Sequence, residues 1–364
     1  MTKVCHVTSA HKRYDGRIFK KELSSLSKKY DCYLVCCDGL KNETINNIKI
    51  ISACPKFKNR YERILKAKKY LKKECKKIDA DIYHFHDADL LPLAYFFSKK
   101  GKKVIFDYHE NFEDLFLERK WIPSFLRKIL RKKYIKLEQK SLPNFSGIIA
   151  ADNYIRDIVL KYNKNSITIQ NFPIIIPKQT NKNKDNYICF AGNLADFWNH
   201  DKICEAISDI DIKYIIAGNY NNDIYNTLSN CRGFDKVELL GQIDYDSVIS
   251  LYNKSKIGIA LCSYIPNMNY KNGSLGNTKI FEYMMCGIPV VFTDFKVYTD
   301  INKKCQFGIS VNPTNVKEIR NAIKYLLKNP KEAQKMGNNG RQLIEKEYNW
   351  SVLEKRLLDF YKNL

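Results

Sequence analysis

The sequence predicts an α/β protein made of two Rossmann-like domains, each a doubly wound parallel sheet, that face each other across a cleft. Its 364 residues suffice for two cores of ordinary size, and its hydrophobic content of 45% indicates a packed globular protein. Short apolar strands alternate with helices in two separate sets, as doubly wound sheets require. A nearly pure polar stretch within residues 174–186 separates the two sets, and we interpret it as a linker.

The first domain is expected over residues 1–173. It opens with an apolar strand, a polar loop, a helix and a second strand, which is the first unit of a doubly wound sheet. Periodicity predicts strands at residues 4–7, 31–37, 48–52, 82–85, 103–108 and 147–151, with helices at 18–29, 61–78 and 90–99. Ligands of such sheets bind at the carboxyl ends of the strands, so residues that directly follow a strand are the first candidates for function.

The second domain is expected over residues 187–347. Its strands are predicted at residues 187–191, 213–217, 236–240, 257–261, 289–293 and 308–311, with helices at 201–207, 245–253, 316–328 and 330–347. A last helix at residues 351–362 begins at the cap candidate Ser351, with Glu354 three residues further on.

The composition indicates the environment and the partners. Twelve cysteines are scattered without a Cys-x-x-Cys pair, which is typical of buried thiols in a reducing compartment. No signal peptide is recognisable and no apolar run approaches the roughly 18 residues of a spanning helix, so we expect a cytoplasmic protein. The net charge is +23, and residues 1–175 hold 37 Lys/Arg against 19 Asp/Glu. The basic first half indicates an anionic partner.

The stretch at residues 276–291 carries the strongest functional signal. It reads as a polar loop, a short helix with Glu282, a stop at Gly287, and Pro289 before an apolar strand. The unpaired N–H groups and positive dipole of a helix N-terminus suit a diphosphate. A carboxylate one turn further in suits sugar hydroxyls. The arrangement therefore fits a nucleotide-sugar.

Residues 279–291 also resemble the Lys-x-Phe-Glu-Tyr-Met-x-x-Gly-x-Pro-Val-Val signature of family-four glycosyltransferases, which are retaining enzymes of the GT-B architecture. The resemblance extends over nearly the whole chain, through the opening loop, His109, the linker, Gly192 and a loop at Gly241. It implies a bacterial glycosyltransferase of polysaccharide or glycoconjugate biosynthesis. Such an enzyme moves a hexose-type sugar from a nucleotide-diphosphate-sugar to a lipid-linked or oligosaccharide acceptor, with an α-linkage. The resemblance also implies that a last helix, within residues 348–364, packs back onto the first domain.

The donor site implied by the resemblance lies in the second domain. Its residues are Gly192, Asn193, Gln242, Ser274, Gly276, Asn277, Thr278, Lys279 and Glu282. Members of the family often carry Arg and Lys where this chain has Asn193 and Trp198, and a second Glu where it has Ser274. Lys279 is expected to compensate for the missing charges, and backbone N–H groups of residues 273–277 are expected to contact the sugar. Neither a metal nor another cofactor is expected.

Further candidates follow strands of the first domain. His109 comes directly after a strand and resembles the family's strand-end His, so it is expected to position the sugar and donate to its hydroxyls; it and Glu282 are the catalytic candidates. The acceptor side is expected to include Gly16, Arg17, His86 and Glu110, with Arg17 as a forked donor for phosphate. Asp87 and Asp89 are interpreted as helix N-terminal acids rather than metal ligands.

A basic, apolar segment predicts a membrane surface. Residues 118–140 contain nine Lys/Arg against two acids, with apolar side chains interleaved. This pattern indicates a helix lying on an anionic membrane, on the inner face of the cell membrane as a peripheral protein. The expected contact residues are Trp121, Phe125, Arg127, Lys128, Arg131 and Lys132. The alternative is an ordinary domain helix whose apolar stripe belongs to the core.

Three other functions remain open. A nucleotide-sugar 2-epimerase uses the same double-sheet architecture, although it would not need a basic amphipathic helix. An RNA-binding protein would explain the charge, but the sequence has no aromatic-basic RNA-recognition motif, so no nucleic-acid partner is expected. A non-catalytic relative is possible because two charged donor contacts are absent.

Overall fold

The computed structural model describes residues 1–111, 122–179 and 184–364. Within these residues the chain divides into two compact units. The first consists of Met1–Asn171 together with Ser351–Leu364, and the second of Phe172–Trp350. The chain therefore leaves the first unit after Asn171 and returns to it for its last helix.

The first unit contains an eight-stranded sheet. Its strands are β1 (Lys3–Val7), β2 (Asp31–Cys36), β3 (Glu43–Ile45), β4 (Ile48–Ser52), β5 (Ile82–Phe85), β6 (Lys103–Tyr108), β7 (Gly147–Ala150) and β8 (Ser166–Thr168). They lie in the order β3-β4-β2-β1-β5-β6-β7-β8, and only the β3–β4 pair is antiparallel. The predicted parallel sheet thus carries a hairpin at its edge, where Asn46 and Asn47 both adopt the positive φ of a tight hairpin turn.

Helices and a π-helical turn complete the main part of the first unit. The helices are α1 (Ser24–Leu26), α2 (Arg60–Ile78), α3 (Leu91–Ser98), α4 (Ser124–Ser141) and α5 (Asn153–Val159). Instead of the single helix predicted at residues 18–29, a π-helical turn at Ile18–Leu23 leads into α1. In this turn the Glu22 N–H donates to the Arg17 carbonyl oxygen, five residues back, over 2.9 Å. The wider turn is of a kind often found at functional sites.

The two faces of the first sheet differ in character. One face packs against α2, α3 and α5 in a hydrophobic core that includes Cys5, Tyr83 and Phe85. Because side chains alternate along a strand, their neighbours His6 and His84 lie on the opposite face, where they are also fully buried. The second face therefore holds a buried polar row.

The second unit contains a six-stranded parallel sheet. Its strands are β9 (Tyr187–Ala191), β10 (Lys213–Ala217), β11 (Val237–Gly241), β12 (Ile257–Ala260), β13 (Val290–Thr293) and β14 (Gly308–Val311). They lie in the order β11-β10-β9-β12-β13-β14. The order reverses beside β9, which is the topological switch point where open α/β sheets bind ligands.

Eight further helices follow in the described residues. They are α6 (His200–Ile207), α7 (Asn222–Ser229), α8 (Tyr245–Lys254), α9 (Thr278–Met285), α10 (Lys296–Cys305), α11 (Val316–Lys328), α12 (Pro330–Lys346) and α13 (Trp350–Lys362). The signature helix α9 is followed by Gly287, which has φ +67° and forms the predicted left-handed stop. Except for its first residue, α13 belongs to the first unit.

Candidate active site

The second unit has a pocket of about 240 Å³ at the carboxyl ends of β9, β10 and β11. Residues that follow these strands line it together with side chains of α8 and α9. They include Gly192, Asn193, Asn219, Gln242, Tyr252 and Glu282. Four of the predicted donor-site residues therefore meet in one pocket, although they are distant in sequence.

Two glycines let the loops after β9 and β10 approach each other. Gly192 has φ +151° and Gly218 has φ +146°, values that other residues rarely adopt. The Gly192 N–H donates to the Ala217 carbonyl oxygen over 2.8 Å, and a Cβ at Gly218 would overlap the Gly192 carbonyl oxygen. Backbone atoms therefore form this side of the pocket.

Lys279 of α9 supplies a positive charge next to Gly192. A Cβ at Gly192 would lie 2.7 Å from the Lys279 Nζ, so the ammonium group rests against the glycine. The same Nζ lies 4.3 Å from the ring centroid of Trp198 and 5.1 Å from that of Phe190, both within cation–π range. Burial lowers the pKa of Lys279, and the charge of Glu282 partly offsets this. Compensation by Lys279 for positions 193 and 198 stays a prediction, and this geometry favours it.

Glu282 is half-buried on α9 and forms part of the pocket wall. The Tyr252 hydroxyl of α8 donates to its Oε2 over 3.4 Å. Burial and the charge of Glu282 raise the pKa of Tyr252, so the phenol keeps its proton. Elsewhere in the pocket, the Asn219 side-chain amide donates to the Gln242 side-chain oxygen over 3.1 Å. The pocket thus combines a carboxylate with neutral polar groups.

The loop before α9 is held together by its own hydrogen bonds. The Ser274 hydroxyl oxygen accepts the Gly276 N–H over 3.0 Å, and the Tyr298 hydroxyl donates to the Ser274 carbonyl oxygen. The Gly273 N–H donates to the Tyr270 carbonyl oxygen over 3.3 Å. The N–H groups of Gly273 and Gly276 therefore have partners within the loop, and the Ser274 carbonyl oxygen has one on α10. Contact of the backbone N–H groups of residues 273–277 with the sugar stays a prediction.

Asn277 stands directly before α9 and is only 6% exposed. Neither its side-chain oxygen nor its nitrogen has a hydrogen-bond partner within the described part of the chain, and it does not cap the helix. Thr278 is the first helical residue and is half-buried. The amino end of α9 thus combines uncapped N–H groups with an unsatisfied amide, which suits an anion.

Arg17 lies in the interior of the first unit. Its Nε and one terminal nitrogen donate to the Asp107 carboxylate over 2.8 and 2.9 Å, and the other terminal nitrogen donates to the Ile169 carbonyl oxygen over 2.6 Å. Glu22 Oε1 also lies 3.1 Å from its Nε. The expectation of a forked phosphate donor is wrong here, because these donors are bound to protein groups. Gly16 is exposed, and a Cβ there would meet nothing within 4 Å.

His109 and His86 share the same carboxylate. His109 Nε2 lies 3.1 Å from Asp107 Oδ2, and His86 Nδ1 lies 3.2 Å from that oxygen. His109 is half-buried, as is Glu110 beside it. His86 is 1% exposed, and its Nε2 lies 2.9 Å from His6 Nδ1. His86 therefore belongs to the buried polar row and does not line an open surface as predicted.

The protonation states of the buried polar row follow from burial and from the charge of Arg17. Burial alone would raise the pKa of Asp107, but the charge of Arg17 and hydrogen bonds from His109 and His86 outweigh it and hold that pKa well below its usual range. Burial lowers the pKa of His86 to about 4 and also lowers the pKa of His6. Near neutral pH His6 and His86 are therefore uncharged, and Arg17 and Asp107 form an ion pair.

Among the described residues, two groups of side chains are close enough to hold a metal ion. One consists of His6, Glu22, His84 and His86, and the other of His86, Asp107 and His109; in each, the ligand atoms lie within 4.8 Å of one another. Hydrogen bonds already occupy both ring nitrogens of His86. That no metal is required stays a prediction.

The first half of α4 exposes its apolar side chains. Phe125 is 71% and Ile129 48% exposed, and Leu126 and Leu130 are exposed as well, whereas Tyr134 further along the helix is buried. These four side chains are therefore not part of the core. The alternative interpretation, in which the apolar stripe of this helix belongs to the core, does not hold for them. The predicted cationic residues on this helix are Arg127, Lys128, Arg131 and Lys132. Trp121 lies outside the described residues. In the described ranges, no helix has the length and apolar character needed to cross a bilayer.

Some residues of both sites were missed in the sequence. Asp107 is the last residue but one of β6, and Asn219 is the second residue after β10; position near a strand end could have identified both. Tyr252 lies on a helix and reaches Glu282 only in the folded unit, so no sequence pattern indicates it.

Comparisons with known proteins agree with this fold and pocket. The family model described as Glycosyltransferase Family 4 matches residues 23–172, and the model described as Glycosyl transferases group 1 matches residues 171–343. An uncharacterized glycosyltransferase of Methanocaldococcus jannaschii (MJ1069) is 25% identical over 263 residues, covering 65% of this chain and 60% of that relative.

Solved structures with low sequence identity share the fold. Sucrose-phosphate synthase of Thermosynechococcus elongatus superimposes with a TM-score of 0.78 at 15% identity, covering 100% of this chain and 99% of that one. HepE of Anabaena, solved with UDP and glucose, superimposes with a TM-score of 0.74 at 11% identity, covering 100% of this chain and 100% of that one. Fold and pocket thus define a glycosyltransferase with two Rossmann-like domains. With both family models matched, the chain belongs to the family-four-like glycosyltransferases of the GT-B architecture.

Proposed function

We propose that this chain transfers a sugar from an α-linked nucleotide-diphosphate-sugar to an acceptor hydroxyl with retention, which forms an α-linkage. The observation that carries the proposal is the pocket after β9, β10 and β11, where the Glu282 carboxylate lies in the wall and the Lys279 ammonium lies beside Gly192. The carboxylate suits donor hydroxyls and the ammonium suits a diphosphate. The likeness to HepE, solved with UDP and glucose, supports testing uridine nucleotides first.

In the proposed reaction, the bond between sugar C1 and the diphosphate oxygen breaks. The acceptor oxygen forms its new bond to C1 on the same face, and its proton passes to the departing diphosphate oxygen. Lys279 and the uncapped N–H groups of α9 stabilise the charge that develops on the diphosphate, without a metal. Glu282 holds donor hydroxyls, and His109 hydrogen-bonds a hydroxyl of the substrate.

We also propose a lipid-linked or oligosaccharide acceptor and a peripheral position on an anionic membrane. The exposed apolar side chains at the start of α4, with Lys128 and Lys132 exposed on the same helix, support this position. A membrane position would bring a lipid-linked acceptor to the protein. The basic first half then has an anionic partner without any nucleic acid.

A thermal-shift screen with UDP-, GDP-, dTDP- and ADP-sugars, with and without Mg²⁺, tests the donor. Ligand at about 100 times its dissociation constant stabilises by about 2.7 kcal/mol, which gives a visible shift. We expect the sugars of one nucleotide class to raise the melting temperature without Mg²⁺. Turnover with that donor, followed by proton NMR of the product, tests the α-linkage. A change of the donor sugar without acceptor would instead identify an epimerase, and no shift with any donor would contradict the proposal.

A further inference from the structure

The buried polar row of the first unit is a hydrogen-bond chain that ends on one carboxylate. Oδ2 of Asp107 receives Arg17 Nε at 2.8 Å, His109 Nε2 at 3.1 Å and His86 Nδ1 at 3.2 Å. A carboxylate that is ionised has lone pairs only, so each nitrogen that faces it must carry a proton. The His109 and His86 nitrogens are themselves 3.4 Å apart, side by side around this oxygen.

This condition fixes the protons further along the row. Since His86 donates through Nδ1, its Nε2 is an acceptor, and the His6 Nδ1 at 2.9 Å must donate to it. His6 Nε2 is then an acceptor and takes the hydroxyl proton of Tyr361 at 3.1 Å. The Tyr361 oxygen in turn accepts from His84 Nδ1 at 2.8 Å. Every proton in the row therefore points towards Asp107.

The charges of the surrounding groups agree with this assignment. Burial lowers the pKa of His84 and His6, and burial raises the pKa of Glu22, so these groups are neutral near neutral pH. His84 Nε2 has no hydrogen-bond partner in the described residues, as expected for the unprotonated nitrogen at the far end of the chain. Arg17 and Asp107 then form the row's only ion pair.

At the Asp107 end of the hydrogen-bond chain, the contact with this carboxylate determines the tautomer of His109. His109 Nε2 lies 3.1 Å from Asp107 Oδ2, so this nitrogen carries a proton. When the ring holds a single proton, its lone pair is therefore on Nδ1, for which the described residues show no partner. We propose that Asp107 is a positioning residue that holds His109 as the Nε2–H tautomer, so that Nδ1 accepts a hydrogen bond from a substrate hydroxyl. This role rests on the proposed function and reverses the expectation that His109 donates to the sugar.

Nitrogen NMR of the full chain, labelled with ¹⁵N at the six histidines, tests the proposal directly. At mildly alkaline pH, we expect a signal of a histidine protonated on Nε2 that disappears in His109→Gln. His6, His84 and His86 are expected to be protonated on Nδ1, which provides an internal control. A His109 protonated on Nδ1, or still doubly protonated at that pH, would overturn the proposal whatever the enzyme's activity.

A double variant tests the role of Asp107. Arg17→Met with Asp107→Leu removes both charges and the accepting oxygens together, because removal of one charge would leave an unpaired buried charge. With the fold verified by its melting temperature, His109 is expected to populate both tautomers. A pure Nε2–H form in the folded double variant would exclude Asp107 as the cause. If the variant does not fold, the wild-type spectrum still decides the tautomer.

Donor binding separates this inference from the proposed function. If donors bind and turn over but His109 has the other tautomer, only the inference fails. If no donor binds while the tautomer is as stated, the proposed function fails and the hydrogen-bond chain stands.

Discussion

Trp198 occupies the position at which the resemblance implies a lysine, and its ring carries the ammonium of Lys279 at 4.3 Å. The positive charge therefore comes from α9 rather than from the loop after β9. Lys279 also influences its surroundings, because burial and its charge together lower the pKa of His200 to about 3. Aromatic contact of this kind contributes about 0.5–2 kcal/mol and holds a side chain that would otherwise be mobile.

Lys279→Met is expected to weaken donor binding about 10- to 100-fold, since one charge-assisted hydrogen bond contributes about 1.5–3 kcal/mol. Isothermal titration with the donor identified in the screen measures the loss. The melting temperature should be unchanged or higher, because a buried ammonium is removed. Lys271→Met, on the neighbouring loop, is the matched control and should bind normally. Equal affinity in both variants would show that Lys279 does not contact the donor.

Glu282→Gln keeps the shape of the side chain but removes its charge. We expect kcat/KM to fall about 10- to 100-fold, because hydrogen bonds from donor hydroxyls to a carboxylate are stronger than those to an amide. Initial rates across donor concentrations measure this effect. Glu205→Gln, an exposed carboxylate on α6 of the same unit, should leave the rate unchanged. Undiminished turnover in Glu282→Gln would remove its assigned role.

For single residues, prediction from the sequence succeeds where the position relative to a strand end determines where the side chain lies. Gly192, Asn193, Gln242 and Glu282 line one pocket, as strand-end positions and the signature predicted. It fails at Arg17, because an arginine in a polar loop can point outward or inward. Only the folded sheet reveals that Asp107 offers it a buried partner.

Helix α4 is the element whose exposed face has the clearest consequence. Phe125→Ser combined with Ile129→Ser should leave the melting temperature nearly unchanged, because both side chains already face solvent. Binding to phosphatidylserine vesicles should fall at least about 100-fold, since each side chain inserted into lipid contributes about 1.5–3 kcal/mol. Vesicle co-sedimentation measures this.

Tyr134→Ser on the same helix is the control for this prediction. Tyr134 is buried, so its replacement should lower the melting temperature. If the double variant unfolds, or still sediments with the vesicles, the membrane surface is not on this face of α4.

Element predictions from the sequence were good for apolar strands and weaker for polar segments. β9, β10 and β14 lie at their predicted residues, because buried parallel strands give continuous apolar runs. The helix α7 was not predicted, since its NDIYNTLS sequence buries only Leu228 and gives little periodicity. The edge strand β3 was missed because its three residues are too few to show an alternation of polar and apolar side chains.

The whole molecule should lose stability as the pH falls from about 6.5 to about 4. His86 has a pKa near 4 in the folded state against about 6.5 when unfolded, so only the unfolded chain takes up the proton in this range. His6, His84 and His200 act in the same direction, because burial lowers their pKa as well. For each proton that the unfolded chain binds in excess of the folded one, the free energy of unfolding falls by about 1.4 kcal/mol for each pH unit that the pH is lowered.

Glu22 and Asp89 act in the opposite direction, because their raised pKa lets the folded state hold protons that the unfolded state releases. Four histidines outweigh two carboxyls, so the free energy of unfolding is expected to fall with the pH. Urea unfolding at a series of pH values measures the slope. A free energy of unfolding that stays constant or rises from pH 6.5 to 4.5 would contradict the assigned burial of these histidines.

Helix α13 completes the first unit although it follows the second in sequence. Its Leu357, Phe360 and Tyr361 are buried, and a Cβ at Gly147 of β7 would overlap the Phe360 ring. Tyr361 also supplies the hydroxyl between His6 and His84. Residues 1–171 alone thus lack part of their core.

This arrangement sets an order for events on the ribosome. The second unit is contiguous and can finish folding as soon as its last residue leaves the exit tunnel, whereas the first unit, synthesised earlier, must wait for residues 351–364. During that interval its sheet lacks one covering helix. A premature stop shortly before position 351 would therefore damage the half of the protein that was made first.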